Sequence, residues 1–431
     1  MKALPPPSSW GRWPRGRHQF QALYDRDALP LFEADANYLP YGMGRSYGDS
    51  CQNDGGWLLA TRGLDRYIEF DAERGLLRCE AGMLLKDIAA WALPRGWFVA
   101  VTPGTQYVTL GGAIANDVHG KNHHRFGSFG CHVESFVLLR SDGQYLRCSA
   151  TENSDWFGAT IGGLGLTGLI VEATIRLRRV PGAWIAADTQ PFATLAEFLQ
   201  LSEASAASHE YTVAWIDASS ASGRGLFTRG NHAEHQRPAP SRTARRVPFT
   251  PPLSLVRPLS TRWFNSAYFA AGSRNCGVQL THYRPFFYPL DGLLEWNRVY
   301  GPTGFFQYQC VLPMNAALDG LDEMLKRIAR SAQGSMLSVL KVFGAQRSPA
   351  WLSFPRPGVT LALDFPNHGA PTLALLDTLD AITQQAGGAV YIAKDARMSA
   401  AAFRQYYPAW QRLAAYRDPR FSSSFWRRVN S

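Results

Sequence analysis

Residues 117–136, DVHGKNHHRFGSFGCHVESF, concentrate side chains that could carry chemistry. The stretch holds four of the chain's ten histidines, with a lysine and three glycines beside them. On a helix, the H-x₃-H-H pattern of His119, His123 and His124 could bind zinc through a pair four residues apart. The glycines disfavour that helix and no carboxylate is well placed as a further ligand, so we expect no metal site. The stretch instead predicts a loop that turns imidazoles and Lys121 into a ligand pocket.

Two glycine-dense stretches lie close to it in the sequence. YGMGRSYGDS (41–50) places three glycines around Arg45, Ser46 and Tyr47, and such a loop can turn backbone N–H groups toward a phosphate. It lacks the GK[ST] ending of a P-loop, so an ordinary glycine-rich turn stays open as an alternative. TPGTQYVTLGGAIAND (102–117) lets the backbone approach something flat or bulky. Together the stretches predict a large phosphorylated cofactor lying across backbone.

Two other catalytic classes are not supported. GGLGLTG (162–168) contains the G-x-G-x-x-G pattern of dinucleotide-binding folds, but that motif must follow a strand and open a helix. Here it precedes the strand-like LIVEATIRL, so we reject NAD binding of that type. No G-x-S-x-G nucleophile elbow occurs, which argues against a serine hydrolase.

Composition bounds the class of protein. The chain has 431 residues, 46% of them hydrophobic and 18% charged, which indicates a globular protein of two or three domains. Its net charge of +10 suits nucleic acid, anionic lipid or phosphorylated substrates, or is a general surface bias. Six scattered cysteines without a CxxC pair favour a reducing compartment. We expect no signal peptide and no membrane-spanning segment, and therefore a cytoplasmic protein that could attach peripherally to the inner membrane.

Hydrophobic patterns divide the chain into three parts. Residues 10–181 read as strands and turns, with a helix at 84–96, a hairpin at 133–150 around Asp142-Gly143 and a strand at 169–180. Residues 182–395 are predicted to form an antiparallel sheet covered by helices. Residues 396–431, rich in aromatic residues and arginine, are expected to return to the first part. The elements predicted in the middle part are strands at 211–219, 304–313 and 358–366 and helices at 317–334 and 370–388.

A basic segment interrupts the middle part. Residues 237–262 contain six arginines, six prolines and no acid, a composition that excludes a continuous helix or a central strand. We expect a mobile loop over residues 223–274. It would serve as a lid or a surface contact, with an inert insertion as the alternative.

Four stretches carry a family resemblance. GRSYGD (44–49), the run from TPGT to GSFG (102–130), GLGLTG (163–168) and DPRFSSSF (418–425) resemble the vanillyl-alcohol-oxidase type of flavoprotein. The resemblance implies FAD bound by a two-part domain of the PCMH type, interrupted by an antiparallel-sheet substrate domain, an α+β fold overall. Further stretches resemble members of that family that oxidise a polyprenyl-phosphoryl pentose at its 2′-hydroxyl. These are EWNRVYGPTGFFQYQ (295–309), LKVFGAQRSPAWLSFPRPG (340–358) and YIAKDAR (391–397).

The resemblance assigns the cofactor-binding residues. The first loop would cradle the pyrophosphate, the second would pass over the isoalloxazine and the ribityl chain, Ile170 would meet the adenine side and Tyr391 the flavin. Several relatives tether FAD through a histidine in the first loop, where this chain offers Ser46 and Tyr47, so we expect non-covalent FAD. The loop residues implied are Gly42, Gly44, Arg45, Ser46, Tyr47 and Gly48, and then Gly104, Thr109, Gly111, Gly112, Asn116, Asp117 and His119.

The resemblance also implies a reaction. A hydride leaves the carbinol carbon for the flavin while a base takes the hydroxyl proton. Lys394 is the expected cation beside the reduced flavin, and His119 is our first choice for the base. A cysteine near the family's pocket is replaced by Ala362, which implies a pocket of different shape. Substrate-binding roles fall on Tyr47, Lys121, Gln307, Gln309, Lys341 and Lys394.

Four functions are compared. The leading one is FAD-dependent oxidation of a polyprenyl-phosphoryl pentose in cell-envelope sugar biosynthesis, followed by a partner short-chain reductase and accompanied by peripheral membrane contact. The second is an FAD oxidase of a soluble sugar alcohol, an aldonolactone or another small alcohol. A nucleic-acid-binding protein is third, but no nucleic-acid motif supports it. A non-catalytic flavin-binding module is fourth. The electron acceptor, oxygen or quinone, and the oligomeric state stay open.

Overall fold

The computed structural model describes residues 8–29, 32–235 and 244–431, and it has an α+β fold. Residues 8–181 form a three-stranded parallel sheet, ordered β1-β3-β2, and a second sheet ordered β4-β5-β9-β7-β8, with β6 paired to β9. The strands are β1 (Gln19–Ala22), β2 (Tyr38–Tyr41), β3 (Trp57–Ala60), β4 (Tyr67–Asp71), β5 (Leu76–Glu80), β6 (Trp97–Val99), β7 (Val133–Leu139), β8 (Tyr145–Ser149) and β9 (Leu169–Arg179). The helices are α1 (Leu85–Ala92), α2 (Leu110–Ala115), α3 (His123–Phe126) and α4 (Ser154–Thr160).

Turn chemistry sets the boundaries in this part. The predicted hairpin is formed by β7 and β8, and Gly143 between them has φ +84°, which glycine adopts without strain. Helix α1 continues as a 3₁₀ turn and ends at Gly96, with φ +77°. The strand predicted at 169–180 is β9. One prediction is wrong, since a single helical turn, α3, forms inside the histidine-rich stretch before Gly127 ends it.

An eight-stranded antiparallel sheet dominates the middle of the chain, in the order β14-β10-β12-β11-β17-β18-β16-β19. A short parallel pair, β13-β15, lies apart from it. The strands are β10 (Trp184–Phe192), β11 (Tyr211–Ile216), β12 (Gly225–Ala233), β13 (Arg245–Arg246), β14 (Gly277–His282), β15 (Leu293–Leu294), β16 (Phe305–Leu312), β17 (Ser338–Phe343), β18 (Gly358–Pro366) and β19 (Ala389–Val390). The helices are α5 (Leu195–Ala206), α6 (Pro258–Arg274), α7 (Tyr283–Phe287), α8 (Met314–Ser331) and α9 (Ala370–Gln385).

The two faces of this sheet do different jobs because side chains alternate along each strand. On β16, Tyr308 and Cys310 point into a core formed with α5, α8 and α9, as Leu361 and Leu363 do on β18. The neighbouring residues on each strand point the other way. That opposite face is turned toward the loops of residues 8–181 and forms the wall of a cavity.

The expectation of one loop over residues 223–274 is wrong. Strand β12 occupies the beginning of this range and helix α6 its end. Pro258 stands at the first turn of α6, where its missing N–H costs no hydrogen bond, and no proline follows it inside the helix. Residues 236–243 lie outside the described residues, so the expectation is not tested there.

The C-terminal segment contains α10 (Ala400–Tyr406), α11 (Trp410–Tyr416) and α12 (Ser424–Asn430). It contacts the first part of the chain, where the Tyr38 backbone N–H donates to the Arg420 carbonyl over 2.8 Å. Arg428 on α12 pairs with both Asp49 and Asp395 at 2.8 and 3.1 Å. One arginine therefore joins the C-terminal helix, the end of the first glycine loop and the segment that carries Lys394.

Candidate functional site

A cavity of about 950 Å³ lies between the loops of residues 8–181 and the inner face of the large sheet. Its size is at the upper end for ligand sites, enough for a dinucleotide together with a substrate group. Eighteen of the predicted site residues line it. They are Gly42, Gly44, Arg45, Ser46, Tyr47, Gly104, Thr109, Gly111, Gly112, Asn116, His119, Lys121, Ile170, Gln307, Gln309, Lys341, Tyr391 and Lys394.

The first glycine loop is packed so closely that side chains are excluded. A Cβ on Gly42 would lie 2.4 Å from Thr109 Oγ1, and one on Gly44 would lie 2.2 Å from the Tyr41 hydroxyl oxygen. Gly44 also has φ +58°, where an L side chain is strained. The Tyr47 N–H donates to the Ala393 carbonyl over 2.9 Å. The loop therefore presents backbone to the cavity and is held against the segment that carries Lys394.

Two predicted residues do not line the cavity. A Cβ on Gly48 would lie 1.6 Å from the Asp395 carbonyl oxygen, so Gly48 permits close packing between two segments. The Asp117 carboxylate accepts hydrogen bonds from the Gly130 N–H and the Ser353 hydroxyl over 2.8 and 2.6 Å. In this structure both residues brace the loops from behind.

The second glycine stretch faces the first one across the cavity. We call the groove between the two stretches, residues 41–50 and 102–117, the glycine trough. The Thr109 hydroxyl accepts a hydrogen bond from the Gly112 N–H over 3.1 Å and so caps α2. A Cβ on Gly111 would meet Ala81 at 3.1 Å, whereas one on Gly104 would meet nothing within 4 Å. The Asn116 side chain donates to the Gly112 carbonyl over 2.8 Å. The second stretch is therefore held by hydrogen bonds at its helical end, whereas the space around Gly104 is free.

The chemistry of this trough fits FAD. Its surface is backbone on two sides, with the apolar Ile170 on β9 facing the cavity between them. The Arg45 guanidinium lies 3.9 Å from the centre of the Trp10 ring, which holds a cation beside the glycine loop. Exposed amides and a fixed cation suit a pyrophosphate, while the apolar floor suits flat rings. Tyr391 lies at the inner end, and its hydroxyl donates to the Asn116 carbonyl over 2.8 Å.

The sheet wall is different because it carries lysines. Lys341 Nζ lies 3.1 Å from Nδ1 of His119, and Nε2 of the same ring lies 3.0 Å from the Gln309 amide nitrogen. Burial, then the charge of Lys341, lower the pKa of His119 well below its usual range, so the ring is neutral. Burial also lowers the pKa of Lys341 to about 7. The Gln309 amide nitrogen can only donate, so Nε2 of the neutral ring accepts and the ring proton lies on Nδ1, facing the neutral form of the Lys341 amine.

Lys394 belongs to a second polar cluster. Its Nζ lies 3.8 Å from the centre of the Tyr47 ring. Burial lowers the Lys394 pKa, and the nearby charge of Asp364 opposes that shift. Asp364 accepts a hydrogen bond from Gln307 over 2.6 Å, and burial raises its pKa against the effects of Gln307 and Lys394. Lys394 is thus a buried cation with a carboxylate on one side and an aromatic face on another.

Lys121 is the third lysine of the cavity. Its ammonium donates to the Phe286 carbonyl and lies 4.6 Å from the centre of the Phe286 ring. Burial lowers its pKa to about 8. The three lysines line one cavity, and the positive field that they supply when protonated favours an anionic ligand.

Sequence reasoning missed Asp364. It lies in the LDFP stretch, where the residue pattern alone gives no sign of a role. The signal appears once the strands are paired, because Gln307 is opposite Asp364 and Gln309 is opposite Ala362. Residues opposite each other on antiparallel strands share a face, so the carboxylate lies on the same face as the two amides.

Comparisons with known proteins agree with this geometry. A family profile described as an FAD binding domain matches residues 31–149. Decaprenylphosphoryl-β-D-ribose oxidase of Mycolicibacterium smegmatis is 37% identical, over 92% of this chain and 90% of its own length. An uncharacterised protein of Streptomyces coelicolor is 34% identical, over 80% of this chain and 99% of its own length.

More distant relatives match a smaller share of the chain. Human Δ(24)-sterol reductase is 27% identical over 30% of this chain and 27% of its own length. The chain is an FAD-dependent oxidoreductase, and it belongs to the family of decaprenylphosphoryl-β-D-ribose oxidase.

Proposed function

We propose that this protein oxidises the 2′-hydroxyl of a polyprenyl-phosphoryl pentose. The observation that carries the proposal is the group of three lysines around a cavity whose other side is a glycine trough suited to FAD. A sugar phosphodiester is anionic and fits that field, whereas a neutral sugar alcohol or aldonolactone gains nothing from it. The name of the relative from Mycolicibacterium smegmatis points to the same class of substrate.

Lys394 is proposed as the electrostatic catalyst. Bound FAD supplies the hydride acceptor, and it becomes more negative when reduced. Lys394, held between Tyr47 and Asp364, supplies a positive charge inside a water-poor cavity, where such a charge acts most strongly. Tyr391 and the glycine stretches are proposed to hold the ring system at that end.

The Lys341–His119 pair is proposed as the acceptor of the hydroxyl proton. His119 was expected to act as the base, but both of its ring nitrogens already have partners. Lys341 is the stronger base of the two, and a pKa near 7 leaves part of it neutral at working pH. His119 then orients the Lys341 amine, and a proton can be shared across the 3.1 Å contact.

The remaining polar residues are proposed to orient the substrate. Lys121 faces the phosphate, and Tyr47 packs beside the sugar. Gln307 and Gln309 were expected to bind sugar hydroxyls directly, but they donate to Asp364 and Thr360 over 2.6 and 3.1 Å. Their first role is therefore to hold Asp364 and His119 in position. The amide atoms that these hydrogen bonds do not use are proposed to bind the sugar.

FAD is proposed to be bound non-covalently. The first loop has no histidine, and the nearest thiol in the cavity wall is Cys51. Burial, then the charge of Asp49, raise the Cys51 pKa to about 12, so this thiol is a poor nucleophile. Acid precipitation of the yellow protein checks this, since non-covalent FAD goes to the supernatant and a covalent flavin stays in the pellet.

The domain arrangement is proposed as a two-part FAD-binding domain, residues 10–181 and 396–431, interrupted by a substrate domain at residues 182–395. The ion pair of Arg428 with Asp49 and the hydrogen bond from the Tyr38 N–H to the Arg420 carbonyl support this division, because both join the two parts of the proposed FAD-binding domain. No helix in the described ranges is long and apolar enough to cross a membrane. For a lipid-linked substrate we propose peripheral contact with a membrane surface, and a short-chain reductase that consumes the keto product.

Anaerobic bleaching of the flavin absorbance tests the function. We expect fast bleaching by a polyprenyl-phosphoryl ribose and little by free ribose, sugar alcohols or aldonolactones at equal concentration. A soluble sugar alcohol that bleaches the flavin as fast as the lipid-linked sugar would support the small-alcohol alternative instead.

A further inference from the structure

The segment before helix α6 and the helix itself expose an unusual amount of apolar surface. We define the apolar platform as Phe249, Leu253, Leu255, Leu259 and Trp263. Leu259 and Trp263 are 81% and 75% exposed, and Phe249 is 67% exposed. Ten of the fifteen large exposed hydrophobic residues in the described part of the chain lie between residues 249 and 293. Contiguous exposed apolar residues mark an interaction site far more often than scattered ones do.

We propose that the apolar platform docks this protein onto an anionic lipid bilayer and brings the cavity mouth to the membrane surface. The inference rests on the proposed function, since a polyprenyl tail keeps the substrate in the bilayer. It goes beyond a general membrane contact by naming the inserting side chains and the path from the lipid to the cavity.

Helix α6 is oriented opposite to an ordinary surface helix. Its fully buried residues are polar, namely Thr261 and Asn265, while Leu259 and Trp263 face outward. The Asn265 side chain donates to Asp217 and to the Ser335 carbonyl over 2.9 and 3.1 Å. Polar bonds therefore fix the helix to the sheet and leave its apolar residues outside, as in helices that lie in a membrane interface.

Charge favours an anionic surface over any neutral occupant. The sequence between Glu234 and Asp291 has eight arginines and no carboxylate. Arg257, Arg262 and Arg274 flank or interrupt the platform and are exposed. Arginines around exposed tryptophan and leucine are the composition of interfacial segments, in which cations attract acidic headgroups and apolar groups insert.

The platform also leads to the cavity. Phe264 and Tyr268, on the same helix, line the cavity and stack on each other at 5.8 Å. Tyr268 in turn meets Trp215 of β11 edge-on at 4.9 Å. An aromatic wall thus runs from the helix into the cavity, so the sugar phosphate can reach the lysines while the polyprenyl chain stays in lipid.

Vesicle co-sedimentation without substrate tests the platform. The probes are vesicles of phosphatidylglycerol and phosphatidylcholine in equal parts, and vesicles of phosphatidylcholine alone. The test variant is Leu259→Ser with Trp263→Ser, two residues four apart on α6. The matched control is Met314→Ser with Leu318→Ser, two exposed residues four apart on α8.

We expect the wild type and the control to bind the anionic vesicles, and the test variant to lose binding at least about tenfold. An Arg262→Gln, Arg274→Gln variant should weaken binding to anionic vesicles and remove most of its salt dependence. Unchanged binding by the Leu259, Trp263 variant overturns the proposal. A wild type that is dimeric without binding vesicles, and that becomes monomeric in this variant, also overturns it, because a second copy would then cover the platform.

The result is separable from the proposed function. None of the substituted residues lines the cavity, so a water-soluble short-chain phosphoryl ribose should bleach the flavin of every variant equally. Failure of that bleaching in the wild type contradicts the proposed reaction and leaves the vesicle result intact. Equal bleaching with lost vesicle binding supports the platform as a docking surface alone.

Discussion

The two walls of the cavity are built on different principles. On the glycine wall, which is the side formed by the glycine trough, the cavity is lined by backbone. A Cβ added at Gly42 or Gly44 would lie 2.2–2.4 Å from a neighbouring atom, so there is no room for side chains. On the sheet wall the cavity is lined by side chains, which include lysines and a histidine with lowered pKa values. We propose that the first wall selects by shape and holds the cofactor, and that the second selects by charge and acts on the substrate. Variants of the two walls should therefore fail in different ways.

Lys394→Met should give the largest loss. Removing the buried cation that is proposed to stabilise the reduced flavin should lower the rate of flavin reduction about 10²–10³-fold. FAD binding is proposed to depend on the glycine trough and not on the Lys394 charge, so the variant should still retain FAD and be purified yellow. Stopped-flow bleaching gives the rate, and the absorbance ratio at the flavin and protein bands gives FAD content. Lys326→Met, which removes a lysine on α8 outside the cavity, is the control; loss of FAD from Lys394→Met would break the division between the walls.

Lys341→Met should lower the reduction rate about 10²-fold, again with FAD retained. In the wild type the neutral amine is the base, so the rate should rise as pH increases through about 7, the pKa of Lys341. The variant should lose this rise. A pH profile of anaerobic bleaching measures it, and a variant that keeps the wild-type rise would assign the proton acceptor to another group.

Gly42→Ala should produce the opposite failure, with loss of FAD. Its Cβ would meet Thr109 Oγ1 at 2.4 Å, and Thr109 cannot move without uncapping α2. Overpacking of this kind predicts an increase of roughly tenfold or more in the dissociation constant for FAD. Titration of the apoprotein by quenching of flavin fluorescence measures it. Gly104→Ala is the matched control, because its Cβ meets nothing within 4 Å.

These contrasts also explain what the sequence revealed. The glycine wall could be predicted because each loop is contiguous in sequence, and ten of its twelve predicted residues line the cavity, with His119 counted on the sheet wall. Gly48 and Asp117 belong to the same motifs, but they pack against other segments and do not line the cavity. Which motif residues line the cavity is decided by contacts between segments that are distant in sequence. Helix α6 was missed because arginine and proline density suggested a loop, while its anchoring depends on Asp217, which directly follows β11 and is 48 residues from Asn265.

The sheet wall could be predicted only in part. Lys341, Gln309 and Lys394 were found through resemblance, but their partners depend on strand register. The shift of the His119 pKa and the Gln307–Asp364 bond both need β16, β17 and β18 paired side by side. Such contacts join residues 50 or more positions apart, so no local pattern in the sequence contains them.

Asp364→Asn should have the smallest effect and should test the sheet wall most sharply. Asp364 is the charge that raises the Lys394 pKa against burial, so its removal should lower that pKa further. Because the protonated lysine is the active form, the fall in rate at high pH should move to lower pH. Neutral pH is close to the wild-type Lys394 pKa of about 7, so the rate there should drop several-fold because a smaller fraction of the lysine is protonated. Asp364→Glu, which keeps the negative charge, should return the fall in rate at high pH to its wild-type position. A uniform loss of rate without any shift would mean that Asp364 holds Gln307 in place and has no electrostatic role.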